Sequence, residues 1–146
     1  MKLGIAILSV LLVSNAFAGT TTATGKTRKP AQATLTCPAA GTPGALDKTV
    51  ALVNAAQSCY DASNIATQCA WGSSADIQIA GAATTICEKD FPNMTAPDKA
   101  LYKSLDNRCG AAYSGAQDSI SKSAEALCNL SAARFFSDIY NSGNPN

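Results

Sequence analysis

The chain has 146 residues, a formal net charge of +1, six cysteines and no histidine. Without histidine there is no Ser-His-Asp or Cys-His catalytic pair and the commonest general base is missing. Zinc sites rely on histidines or on close cysteine pairs, and neither occurs here.

The chain opens with "MKLGIAILSVLLVSNAFA", in which Lys2 precedes an apolar run from Leu3 to Val13 and Ala16-Phe17-Ala18 precedes Gly19. That is the three-part pattern of a cleaved secretory signal, and the run falls short of the roughly 20 residues a membrane-spanning helix needs. Residues 1–18 are therefore read as a signal peptide, and the mature chain as exported, periplasmic or extracellular, with no stable membrane insertion. Residues 19–44 are rich in Thr, Ala, Pro and Gly without apolar periodicity, which predicts a flexible arm that Cys37 can tie down. Lys26, Arg28 and Lys29 make this arm basic, whereas from Ala45 onward seven basic residues face ten acidic ones, a charge of −3. Three charges in a tail serve solubility, so no nucleic-acid partner is expected.

From Ala45 to the end, a disulfide-stabilised helical domain is expected. In "ALDKTVALVNAAQSCY" the residues Leu46, Val50, Val53 and Tyr60 share one helical face. "SSADIQIAGAATTICEKDF" repeats Ile77, Ala80, Thr84, Cys87 and Phe91, with Ser73 or Ser74 as N-cap. A third helix starts after Pro97 and aligns Leu101, Leu105, Cys109 and Ala112. A fourth, from about Gln117 to Tyr140, aligns Ile120, Ala124, Cys128, Phe135 and Ile139. Period-two β-branched runs are absent, so the fold class is all-α: a small antiparallel bundle of about four helices.

The cysteines at 37, 59, 69, 87, 109 and 128 are widely spaced with no CxxC. An even count in an exported chain predicts three structural disulfides, with no metal and no cofactor. They also answer a physical need. Helices this rich in alanine and serine bury little area, and each disulfide contributes about 2 to 4 kcal/mol. In an up-and-down bundle, Cys87 and Cys109 fall at opposite levels and cannot pair, since Cα atoms must approach within about 7 Å. The expected pairs are Cys87 with Cys128, Cys69 with Cys109 and Cys37 with Cys59; the alternative exchanges Cys59 and Cys69.

Catalytic groups are not evident. Glu88 and Asp90 lie two positions apart on a helix and so diverge, the glycines Gly72, Gly110 and Gly115 stand singly in turns, and Asp76 suits the dipole of a first helical turn. The domain is expected to be non-enzymatic.

"CYDASNIATQCAWGSSAD", "LYKSLDNRCGAAY" and "EALCNLSAAR" together resemble the small bacterial envelope family typified by the LprI-type lysozyme inhibitors. Its landmarks correspond to Cys59, Cys69, Asp76, Cys109, Cys128 and Arg134. The chain departs from the pattern before Cys109, where the Gln and Trp of the family are missing, and it adds Cys37 and Cys87. The resemblance implies a protein partner, with lysozyme as the target of the family it resembles; the alternative is a secreted or periplasmic accessory protein with no inhibitory activity. The expected binding surface is the loop around Trp71, with Ser73 and Asp76, because an indole on a loop is a frequent contact anchor. The competing reading of Trp71 is a cap on the end of the bundle core. The sequence leaves the oligomeric state open.

Overall fold

The chain divides into residues 1–32 and residues 33–146, and the computed structural model describes residues 35–141, all within the second unit. The signal segment and the arm up to residue 34 lie outside the described residues. Five α-helices follow: α1 (Ala45–Asn54), α2 (Cys59–Gln68), α3 (Asp76–Cys87), α4 (Ala96–Tyr113) and α5 (Ser119–Asn141). A 3-10 segment, Glu88–Asn93, continues α3. There is no strand among the described residues, and the all-α bundle read from the sequence is the fold.

The expected first helix is two helices. α1 stops at Asn54, and Ser58 starts α2 by accepting the Asp61 N–H at 3.0 Å while its hydroxyl donates to Asp61 Oδ2 at 2.8 Å. This Ser-x-x-Asp cap satisfies one orphan backbone donor of a new helix. At α3, neither expected serine caps the helix. Ala75 occupies the N-cap position without a side-chain bond. α4 begins at Ala96, two residues before the expected start at Asp98, with Pro97 in its first turn and Thr95 accepting the Asp98 N–H at 3.3 Å.

α2 and α3 run antiparallel, because a disulfide joins Cys59 at the start of one to Cys87 at the end of the other. α4 and α5 are antiparallel too, with the N–H of Thr95 before α4 donating to the Tyr140 hydroxyl near the end of α5. α3 and α5 share a direction: Asp76 meets Ser123 near both starts, and Asp90 accepts from Ser137 near the far ends. From α2 onward the chain therefore runs up and down.

The core consists mostly of small side chains. Ala62, Ala66, Ala80, Ala83 and Ala133 are buried, with Val53, Ile79 and Leu130 as its larger members. Beside it, Tyr102 meets Phe91 and Phe136 edge to face, at ring-centroid distances of 4.9 and 5.7 Å, a favoured aromatic geometry.

Three disulfides form and no described cysteine is free, but the pairs are Cys37–Cys69, Cys59–Cys87 and Cys109–Cys128. Only Cys37–Cys69, part of the alternative pairing, agrees with the expectation. Two features of the fold explain the rest. Cys59 starts α2 instead of ending α1, which carries it to the level of Cys87. Thr95 lies level with Tyr140, so Cys128, 12 residues before Tyr140, falls level with Cys109, 14 residues after Thr95 on the facing antiparallel helix. Cys87 and Cys109 are not joined, as the levels required.

The expected core faces also need correcting. Tyr60, Ile77, Leu101, Ile120, Phe135 and Ile139 are all exposed. On α5 the inward stripe is Ser123, Leu130, Ala133, Phe136 and Ser137, rotated away from the one that periodicity selects. Alanine and serine carry little weight in an apolar pattern, so a small-residue stripe is outvoted by a large-residue stripe facing out.

Exchange of Ile79, fully buried, for alanine is expected to cost about 2 to 5 kcal/mol in denaturant unfolding. Leu101→Ala, at a site 49% exposed, is expected to cost less than about 1 kcal/mol.

Candidate functional site

Between α2 and α3 the chain turns through Cys69 to Ala75, and Gly72 supplies the positive φ of 65° that the turn requires. Asp76 holds this loop from inside. Its carboxylate accepts the backbone N–H of Trp71 at 2.9 Å, that of Ser73 at 3.1 Å and the Ser123 hydroxyl at 2.6 Å. The side chain is fully buried, and a buried carboxylate is tolerated where donors replace its lost water. The structure thus brings Trp71, Ser73 and Asp76 together, with different parts to play. Asp76 has no surface to offer a partner and positions the loop, pinning it to α5. Trp71 is half-buried and its indole N–H is buried without a hydrogen-bond partner. Cys69, just before the loop, is bonded to Cys37.

A second surface lies on the α4–α5 hairpin. Leu105 on α4 and Phe135 on α5 border one depression, Leu101 lies one turn before Leu105 on the same side of α4, and Cys109–Cys128 crosslinks the two helices with Cα atoms 5.7 Å apart. Leu105, Cys109, Cys128, Ala132 and Phe135, together with Arg108 and Ser131, line a depression of about 380 Å³. Phe135 is 55% exposed while its neighbour Phe136 is 1% exposed and packs edge to face against it. The sequence pattern identified these residues and assigned them to the core. The signal that could have placed them outside is the second, alanine-rich stripe on α5, since a helix with two apolar stripes buries one.

A third feature is a groove of about 500 Å³ between α3, α4 and α5, bordered by Glu88, Lys103, Asp106 and Asn129. Tyr102 donates to Glu88 there at 2.9 Å. Burial, then this bond and the charges of Glu88 and Asp106, push the phenol pKa well up, so Tyr102 keeps its proton. Asn129 Oδ1 is buried without a partner.

At the end of the hairpin the Thr95 and Tyr140 hydroxyls donate to Asp98, lowering its carboxyl pKa below the ordinary 3.8. Arg134 donates to Asn64 at 3.2 Å, stacks over Tyr60 at 4.7 Å and approaches Asp138 at 3.8 Å. The contacts with Asn64 and Tyr60 tie α5 to α2. Among the described residues, no group of three or more His, Cys, Asp and Glu side chains could hold a metal ion, and no helix is long and apolar enough to cross a membrane. Comparison of the chain with known protein families, curated proteins and solved structures gives no match.

Asp76→Ala would leave two backbone N–H groups and the Ser123 hydroxyl without their acceptor, with an expected cost of about 2 to 4 kcal/mol in thermal or denaturant unfolding. The emission of the sole tryptophan, Trp71, should shift to the red as the loop is released. An unshifted spectrum and unchanged stability would show that Asp76 does not hold the loop.

Proposed function

We propose that the mature chain is an exported, non-enzymatic domain that acts by binding protein. The observation that supports this best is the apolar face of Leu101, Leu105 and Phe135 on two crosslinked helices. A domain whose core is mostly alanine would gain stability by burying these side chains, at roughly 25 cal/mol per Å². Contiguous apolar surface on a rigid support is the usual mark of a protein contact. Three disulfides suit an oxidising compartment, and with the signal-like segment at residues 1–18 they support export.

The finer reading is lysozyme inhibition, and it rests on the resemblance of the Cys59–Arg134 segment to the LprI-type inhibitors. Charge agrees with it. The chain from Ala45 onward carries −3, and an acidic domain is drawn toward a basic enzyme by long-range attraction that salt weakens.

Turbidity clearing of bacterial cell walls by lysozyme, with and without the purified mature protein, tests this reading. Slowed clearing is expected from the wild type, with the effect weakened at least tenfold in Phe135→Ser. Unaltered clearing at a tenfold molar excess removes lysozyme as the target. Equal inhibition by the wild type and Phe135→Ser removes the α4–α5 face as the inhibitory surface.

A further inference from the structure

The apolar face carries a charge pattern that names its occupant. Along α4, Asp98, Leu101, Leu105 and Arg108 follow at steps of three, four and three, so they form one stripe of the helix about 15 Å long. The stripe reads acid, leucine, leucine, base. Turned end for end it reads base, leucine, leucine, acid at identical spacing. A second α4 laid antiparallel over the first, centred on position 103, therefore sets each Asp98 opposite an Arg108 and each Leu101 opposite a Leu105.

We infer that the α4–α5 face is where a second copy of this chain docks, through a two-fold contact of antiparallel α4 helices. The inference rests on the protein-binding reading above and names the partner for the same surface.

Each element of the stripe is available for such a contact. Leu101 is 49% exposed, and no carboxylate pairs with Arg108 among the described residues. Asp98 accepts from Thr95 and Tyr140, and a carboxylate with about four acceptor positions keeps room for a guanidinium. The lowered pKa of Asp98 means that it is charged at neutral pH.

The arrangement also selects its own direction. A parallel copy would set Arg108 against Arg108 and Asp98 against Asp98, and like charges at such a contact are repulsive. α5 extends the contact. Tyr140 meets Asp98 at one end of the hairpin and Cys128 meets Cys109 at the other. Phe135 lies between those levels, so the two-fold operation that centres α4 brings Phe135 beside its own copy. An isologous contact of this kind closes on itself as a dimer.

Sedimentation velocity of the mature protein at low salt, from about 1 to about 500 µM, reads the mass directly and spans the affinity range of a small interface. The wild type is expected to shift from monomer to dimer as concentration rises. Arg108→Glu and Leu105→Lys should each weaken the dimer at least tenfold with unchanged circular dichroism.

A mixture supplies the decisive arm. Asp98→Lys and Arg108→Glu proteins each carry like-charge clashes in their homodimers, but together they restore an attractive pair on both sides. The mixture should therefore dimerise where neither variant does alone. If Asp98→Lys fails to fold, the other two substitutions carry the test. A wild type that stays monomeric throughout the range overturns the inference, as does a dimer that survives both Arg108→Glu and Leu105→Lys. A dimer would cover the face offered to lysozyme, so clearing is read at concentrations where sedimentation shows monomer; there its outcome is independent of dimerisation and the two readings fail separately.

Discussion

The disulfide between Cys59 and Cys87 is the constraint on which the rest of the structure depends. Both cysteines are buried in the core, and the bond brings the start of α2 within a Cα distance of 4.5 Å of the end of α3. Helices can be held that close only where small side chains separate them, and Ala62 and Ala66 on α2 and Ala80 and Ala83 on α3 supply that surface. Alanine buries little apolar area, so the hydrophobic term alone would hold these helices weakly. The crosslink supplies what the side chains lack by restricting the unfolded chain.

A core that runs on alanine and a staple leaves large apolar side chains elsewhere. Phe91, Tyr102 and Phe136 form an aromatic cluster at one end, while Leu101 and Phe135 stand on the outer face of the α4–α5 hairpin. Polar ties then fix the frame. Asp76 anchors the Trp71 loop to α5 through Ser123, and Arg134 joins α5 to α2 through Asn64 and Tyr60. With loop and hairpin both tied down, the exposed face is preorganised, which lowers the entropy cost of binding.

Helix existence was legible in the sequence, because breaks at Gly72, Pro92 and Gly115 and the apolar steps between them are local signals. The break at Ala55–Ser58 was not read, although the Ser58-x-x-Asp61 cap announces it; the apolar run from Leu46 to Val53 continued into Tyr60 and masked it. Helix orientation was harder still. On α5 the periodicity of Ile120, Cys128, Phe135 and Ile139 is genuine, but the buried side holds Ala133, Phe136 and Ser137. Pattern reveals a stripe and cannot say which stripe meets the core. Disulfide pairing depends on helix ends and lengths, and so inherited both errors. The loop of Trp71, Ser73 and Asp76 was found as a neighbourhood, yet the inward turn of Asp76 depends on Ser123, 47 residues away, which no local pattern contains.

The Cys59–Cys87 bond holds a core too thin to hold itself, while Cys109–Cys128 only braces the surface hairpin. Chain entropy does not separate them: sequence separations of 28 and 19 residues predict about 3 to 4 kcal/mol for either bond. The direct measurement is the thermal unfolding of two double variants, Cys59→Ala with Cys87→Ala and Cys109→Ala with Cys128→Ala, each against the wild type. The first is expected to lose at least about 2 kcal/mol more than the second, because it also loses packing in the core. Equal losses, or the larger loss at Cys109–Cys128, would show that the core does not depend on the Cys59–Cys87 bond.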